Sequence, residues 1–423
     1  MNVDLSTHSS GRFSAWTLAR HALSGHRHWR PQWRDAQPRA EYDVVIVGGG
    51  GHGLATAYYL AKNHGVKRVA VLEKDWIGGG NTGRNTTIVR SNYYLPESAA
   101  FYDFSVRLYE RLSEELNYNI MFSQRGMITL AHTRHDEEVL RRSFNAMRLN
   151  GVDSEWLEPD EVFARMPLYN RDSRYPVHAG IDQPRAGSAR HDAVAWGYAR
   201  GADALGVDII QNCEVTGFLG GDGVVQGVRT TRGEIGAASV CLSVAGHTST
   251  LAGFAGLRLP ITSYALQAFV SEPVKPVFDT VVLSPATGVY LSQTDKGELV
   301  IGGALDMYPS YAQRGNFHTL EGVVAGMLEM FPAFSRLRLM RQWAGIVDVV
   351  RDSSPIFGPC PIENLYLNCG FGTGGFKAIP AGGWTMAHTL ATGEVHPLIK
   401  PFGLDRFTSG YLIDEAAAAG IAH

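Results

Sequence analysis

Three glycines and a glutamate carry the first chemical signal in this 423-residue chain. An apolar, β-branched run, Tyr42–Val47, leads directly into GxGxxG at Gly48, Gly50 and Gly53, with Gly51 and His52 between them, and then into a small-residue helix. A second apolar run, Arg68–Leu72, ends in Glu73, 20 residues after Gly53. Each residue type has a job. Gly48 permits the tight turn from strand to helix, Gly50 lets backbone touch a pyrophosphate, and Gly53 lets helix and strand pack closely. The first N–H groups of the helix then point at the phosphates, and the carboxylate accepts from ribose hydroxyls. A lone GxGxxG is also compatible with a glycine-rich surface loop. The flanking strands, the helix and the spaced acid together specify a dinucleotide site, for FAD or NAD.

A second glycine turn decides between the two. The segment NLYLNCGFGTGGFKAIPAGGWTMAHTLATG, Asn364 to Gly393, reads as strand, glycine loop and helix, with Gly372, Gly374 and Gly375 in the loop. A simple NAD dehydrogenase has no use for such a turn so far from the first. An extended FAD does, because the positive end of a helix near the flavin N1–C2=O edge stabilises the anionic reduced ring.

The remaining composition sets bounds. Hydrophobic residues make up 45% and charged residues 19%, with a net charge of −3, which gives no reason to expect nucleic acid or membrane binding. No apolar run approaches the roughly 18–20 residues that span a bilayer, and no signal-peptide core is visible. The four cysteines, Cys213, Cys241, Cys360 and Cys369, form no CxxC pair. Their scatter argues against a disulfide framework or a zinc site, and for a reducing, cytoplasmic setting with no metal.

The elements that position the two turns follow from pattern. Helices are predicted from Glu97 to about Leu116, from Asp136 to about Leu149, over HDAVAWGYARGADALG, and over Leu320–Leu328. Strands are predicted at Gly126–Leu130, Val207–Glu214, Val224–Thr230 and Ser239–Ala245, and in a run of strands between Ile261 and Leu305. The fold class is α/β: a Rossmann-like FAD domain with a parallel sheet, interleaved with a mainly antiparallel-sheet substrate domain. The FAD domain takes 41–94, 171–259 and 342–394, the substrate domain 95–170 and 260–341, and 395–423 form a C-terminal segment. Residues 1–40 stand apart, with six arginines, no lysine and three tryptophans (Trp16, Trp29, Trp33). Such an arm can be a flexible tail or an Arg-rich targeting presequence, but arginine beside exposed tryptophan is an interface composition, so this arm is expected to dock onto another subunit.

Six stretches together resemble one family. GGGGHGLATAYYLAKNHG, LEKDWIGGGNTGRNTTIVRSNYY, QPRAGSARHDAVAW, GVDIIQNCEVTG, NLYLNCGFGTGGFK and the terminal GYLIDEAAAAGIAH are similar to the β subunits of heterotetrameric sarcosine oxidases, which belong to the D-amino-acid-oxidase-like flavoproteins. The similarity runs from about Arg12 to His423. It implies oxidation of sarcosine to glycine at a noncovalent FAD, with electrons passed to a covalent FMN and then to oxygen, giving hydrogen peroxide. The one-carbon unit would leave as formaldehyde or methylenetetrahydrofolate, and the partners would be α, γ and δ subunits. FAD contacts are implied for Gly48, Gly50, Gly51, His52, Gly53, Glu73, Lys74, Asn81, Thr86, Gly372, Gly374 and Gly375.

The resemblance also implies the reacting end. Arg90, closing NTTIVR, matches the arginine that binds the substrate carboxylate, and Lys377 in GTGGFK matches its lysine partner. Arginine supplies a bidentate fork and lysine a point charge. No general base stands out. His191 in SARHDAVAW matches the residue that carries the covalent FMN; by itself it reads as a structural histidine at a helix start, and His178 is a rival with no motif. Monomeric sarcosine oxidases carry an oxygen-activating lysine in a strand resembling GELVIGGAL, where this chain has Val300. Two other readings stay open: an FAD-only dehydrogenase of a related N-methyl or imino acid, such as dimethylglycine or an opine, and a non-catalytic flavin-carrying subunit.

Overall fold

Continuous β-branched runs bury both faces and form the parallel heart of the first sheet. The computed structural model describes residues 14–25, 27, 31–277 and 279–415. Glu41–Val47 sits between Val69–Leu72 and Gly233–Leu242, parallel to both, and Asp208–Ile210 extends the sheet beyond Val69–Leu72. Gly233–Leu242 divides its far edge in two. Its first half pairs antiparallel with Val224–Thr230, which forms a hairpin with Val215–Gly221, and its second half pairs parallel with Leu365–Cys369. The first and second glycine turns therefore leave the two parallel strands that flank Gly233–Leu242 in one sheet, both from carboxyl ends. This is where open α/β sheets bind nucleotides.

The second sheet has eight strands and runs antiparallel throughout, except for one parallel pair between Val281–Ser284 and Met127–Ala131. Its long strands, Ile261–Pro273, Glu298–Pro309 and Leu339–Val350, form the wall facing the nucleotide half. A third, three-stranded sheet joins Ile88–Val89 and Ser123–Gln124 through Gly187–Ser188.

Helices pack where their apolar faces demand. Gly51–His64 lies against Ile379–Thr392, and the Gly383 Cα meets the Ala55 backbone so closely that a Cβ there would sit 2.4 Å from the Ala55 side chain. Phe101, Tyr102, Val106, Tyr109 and Leu112 of the Pro96–Glu115 helix enter the same core.

Sheet membership cuts across the segment boundaries read from the sequence. Pro96–Glu115 packs with the nucleotide half, whereas Ala179–Asp182 and all of Leu339–Val350 belong to the antiparallel sheet. The strand predicted over Val207–Glu214 stops at Ile210, because Asn212 turns the chain with φ 53°. The N-terminal arm is divided as well. Ser14 caps a helix, Ala15–Leu23, of which no residue is buried, while Trp33 packs on the core and Arg34 and Arg39 form ion pairs with Asp203 and Asp208. The second half of the arm thus docks on its own chain. Trp29 and the last eight residues of the GYLIDEAAAAGIAH stretch lie outside the described residues.

Candidate active site

A cavity of about 650 Å³ separates the two sheets and receives both glycine turns. At the first turn Gly48 has φ 113°, and a Cβ there would meet the Ser243 carbonyl oxygen at 2.3 Å. A Cβ at Gly53 would lie 2.0 Å from the carbonyl oxygen of Gly48, so Gly53 serves packing and does not itself line the cavity. Gly48, Gly50, Gly51 and His52 do line it. Glu73 holds the turn with both oxygens: Oε2 accepts the Gly49 N–H at 2.8 Å and Oε1 accepts the Asp75 N–H at 3.0 Å. Burial raises its proton affinity and those amides oppose the rise. Lys74, Asn81 and Thr86 line the same cavity.

Two residues of this segment do work that pattern does not show. Thr82 Oγ1 accepts the Gly51 N–H at 2.9 Å, satisfying a donor at the helix start. The Asn81 amide spans to the antiparallel sheet, donating to the Ile346 carbonyl and accepting the Ile346 N–H at 2.8 Å. Asn81 therefore fastens the turn to the opposite wall as much as it faces the cavity.

The second turn is assembled differently. Asp348, fully buried on the Leu339–Val350 strand, accepts the Gly370 N–H at 2.5 Å, and the Phe371 and Gly372 amides also face it. Burial lifts its carboxyl to a pKa of about 6, against the pull of those amides. Gly370 and Gly372 both have positive φ, which curls successive N–H groups around the carboxylate. Gly372 and Gly375 line the cavity, whereas Gly374 is packed beneath Tyr102, whose hydroxyl would be 2.4 Å from a Cβ there. His52 ties the turns together: Nε2 shares a hydrogen bond with the Gly375 carbonyl at 2.8 Å, and the ring stacks on Phe371. Burial lowers its pKa to about 4, so the imidazole is neutral, with Nδ1 unpartnered among the described residues.

Arg90 and Lys377 converge at the far end of the cavity. Their cationic groups lie over the ring of Tyr93, at 5.1 and 5.8 Å from its centroid, and Tyr93 stacks on Tyr102 at 3.9 Å. Arg90 donates to the Asn92 side chain. Burial, and then the Arg90 charge, push the Lys377 ammonium well below its ordinary pKa. The loop carrying Arg90 is clamped twice. Gln183 accepts the Ser91 N–H and donates to its hydroxyl, and Glu415 accepts the Tyr94 and Leu95 N–H groups at 3.1 and 2.9 Å. Glu415 thereby places a carboxylate at the start of the Pro96–Glu115 helix. Tyr93, Tyr102, Asp348 and Glu415 escaped the sequence reading, because their roles depend on partners remote in the chain. A second cavity, about 370 Å³, adjoins the first and shares Arg90, Leu283, Phe371 and Gly372 with it.

Two predicted features fall outside the cavity. His191 begins the His191–Ala204 helix, and neither cavity touches it. Its segment is nonetheless laced to the cavity wall, since Ser188 pairs with Ile88 and the Ala189 N–H bonds the Thr87 carbonyl at 3.1 Å. The His191 ring is largely buried, Nδ1 has no partner among the described residues, and burial lowers its pKa. Val300 also lies off the cavity; on its strand Gly303 and Leu305 line the wall, and the cavity lysines are Lys74 and Lys377.

Two glycine turns on the strands either side of Gly233–Leu242, an acid closing the first and a cationic pocket beyond the second define a flavin-nucleotide oxidoreductase. A model of the family described as FAD dependent oxidoreductase matches residues 43–389. Sarcosine oxidase subunit beta of Rhodobacter capsulatus is 52% identical over 97% of this chain and 100% of its own length. Its namesake from Arthrobacter is 56% identical over 92% of this chain and 97% of its own. Among solved structures, L-proline dehydrogenase from P. horikoshii superposes with a TM-score of 0.83 at 28% identity, over 89% of this chain and 100% of that one. The chain therefore belongs to the FAD dependent oxidoreductases and, within them, to the family of sarcosine oxidase β subunits.

Proposed function

We propose that this chain is the dehydrogenating subunit of a sarcosine oxidase, oxidising sarcosine to glycine. The observation that carries the reading is the pair Arg90 and Lys377, held over one tyrosine ring at the end of the cavity with no carboxylate ion-paired to either among the described residues. An amino-acid carboxylate completes that arrangement. Relatives named for sarcosine oxidase, 52–56% identical, support the choice of substrate.

The residues of the cavity fit FAD. Glu73 and Lys74 would hold the ribose, the turn from Gly48 to Gly53 the pyrophosphate with Asn81 and Thr86 alongside, and Gly372, Gly374 and Gly375 the isoalloxazine edge. Gly374 would serve there by packing, as the base of the turn. Bound FAD would supply the hydride acceptor. Arg90 fixes the substrate carboxylate with its fork, and Lys377 adds a second charge. Tyr93 and Tyr102 seal the pocket behind them, so that each charge acts in a medium poorer in water.

His191 is our candidate for covalent FMN. A neutral, largely buried imidazole with a free nitrogen is a competent nucleophile, and its separation from the first cavity suits a second flavin. FMN there would supply the outlet for electrons to oxygen. The partners would be α, γ and δ subunits. The unburied Ala15–Leu23 helix, with Trp16 and Leu23 exposed, is the segment we expect to meet them. Deleting residues 1–25, which spares Trp33 and Arg34, should weaken assembly; an intact complex by size-exclusion chromatography would remove that role. The cytoplasmic setting is the one inferred from the scattered cysteines, and no described helix is long and apolar enough to cross a membrane.

A flavin inventory tests the whole reading. Acid precipitation of the purified complex should release FAD and leave FMN on the peptide holding His191, and anaerobic sarcosine should bleach the FAD. All flavin in the supernatant would point to an FAD-only dehydrogenase of a related N-methyl or imino acid. FAD that no such amine reduces would leave a flavin-carrying subunit.

A further inference from the structure

Hydride loss from a C–H bond beside nitrogen draws on the nitrogen lone pair, so a substrate arriving as an ammonium must first lose a proton. The surroundings of Lys377 supply a place for it. Its side chain is buried, 4% exposed, and among the described residues its Nζ meets only neutral groups: the Tyr93 hydroxyl at 3.4 Å and the Thr373 carbonyl at 3.3 Å. The charge that acts on it is a like one, Arg90, whose guanidinium also lies over the Tyr93 ring. The Pro96–Glu115 helix contributes Tyr102 beneath Tyr93, and binds the backbone carbonyls of Lys377 and Phe376 through the hydroxyls of Ser105 and Tyr109. The carboxylates nearby are engaged elsewhere. Glu415 is held by the Tyr94 and Leu95 amides and acts on Arg90, and Asp348 is held by the amides of the second turn. Lys377 is thus a buried amine beside a permanent cation, without a counter-ion among the described residues.

We infer that Lys377 stands as a free amine in the substrate-free site and takes the proton from the ammonium of the incoming substrate. The inference rests on Arg90 and Lys377 binding the substrate carboxylate. The step balances without a co-reactant: one N–H bond of the substrate ammonium breaks, one forms on Nζ, and the total charge is unchanged. Its timing follows from electrostatics. The carboxylate offsets the Arg90 charge as it docks, and this raises the proton affinity of Lys377 when the substrate ammonium is beside it.

Acetate, a carboxylate with no ammonium to give, isolates the step. In the FAD-loaded complex near pH 8, calorimetry in two buffers of different ionisation heat should show about one proton taken up per acetate bound in the wild type, and none in Lys377→Arg, which stays charged. The limiting rate of flavin reduction by sarcosine should be nearly flat over pH 7–9 in the wild type. In Lys377→Arg it should rise by about tenfold per pH unit, because the bound ammonium must then lose its proton to solvent. Acetate binding without proton uptake in the wild type, or the same flat profile in Lys377→Arg, would overturn the inference. If acetate leaves the flavin spectrum of the wild type unchanged, or Arg90→Ala binds it as tightly, the carboxylate clamp fails and the proton acceptor fails with it.

Discussion

The two glycine turns do one backbone job by different means. The first is built almost entirely from its own neighbourhood: Gly48 and Gly53 touch each other, Glu73 holds Gly49 from the next strand, and Thr82 satisfies Gly51. The second is held from a distance. Asp348 comes from the antiparallel sheet, Tyr102 from a helix some 270 positions earlier, and His52 from the first turn itself. The Arg90 loop follows the second pattern, hanging on Gln183 and on Glu415 near the other end of the chain. The nucleotide end of the cavity is therefore locally encoded, and the reacting end is a tertiary assembly.

Substitutions can break or sharpen that contrast. The largest effect should come from Gly53→Ala, whose methyl group meets a backbone oxygen that cannot step aside. We expect a loss of about 3 kcal/mol or more, read as a lower melting temperature and loss of bound FAD; normal FAD content would show that the first turn yields more easily than its geometry says.

Asp348→Asn comes next. At pH 4 the carboxyl is a neutral acid carrying one O–H, and asparagine differs from it mainly by a second N–H, so the substitution should cost about 1 kcal/mol there and leave FAD retained but its absorption spectrum shifted. The pH dependence has a definite sign. A carboxyl whose folded pKa, about 6, exceeds its unfolded value near 3.8 binds its proton more tightly in the fold, so its contribution to stability falls as pH rises between those values. The wild type should therefore gain on Asp348→Asn by up to about 3 kcal/mol between pH 7 and pH 4, measured by denaturant unfolding. A gap independent of pH would mean that Asp348 is not the titrating anchor.

Thr82→Val should cost about 1 kcal/mol, since it removes one acceptor from a helix start that keeps its other contacts. The smallest effect should be Glu415→Gln, which retains one acceptor for the Tyr94–Leu95 amides but removes the charge at the helix start. We expect about a threefold rise in the sarcosine concentration that half-reduces the flavin, with the limiting rate nearly unchanged. A change in rate alone would place Glu415 in the chemistry and not in holding Arg90.

The legible part of the site follows the same division. Gly48, Gly50 and Glu73 could be assigned from spacing, because turn, helix start and acid lie within one βαβ unit. Arg90, Lys377 and His191 were found only by resemblance to a family, since nothing around them in the sequence separates them from surface charges or a helix-start histidine. Gly53 packs against Gly48, as its place in the motif predicts, whereas Gly374, expected at the cofactor, lies under Tyr102. Asp348, Tyr93 and Glu415 gave no signal, because an isolated acid or tyrosine declares its partner only when the chain has folded.

The sequence by itself determined the class of fold and the nucleotide turn, since β-branched runs, glycine spacing and the helix that follows act over a few residues and need no distant help. The tertiary structure decided which sheet owns each segment and what surrounds the substrate cations. It decided, above all, that Lys377 is buried beside Arg90 without an ion-pair partner among the described residues. Charge state and loop anchoring depend on desolvation and on contacts between positions hundreds of residues apart, and those exist only once the two sheets have closed on one another.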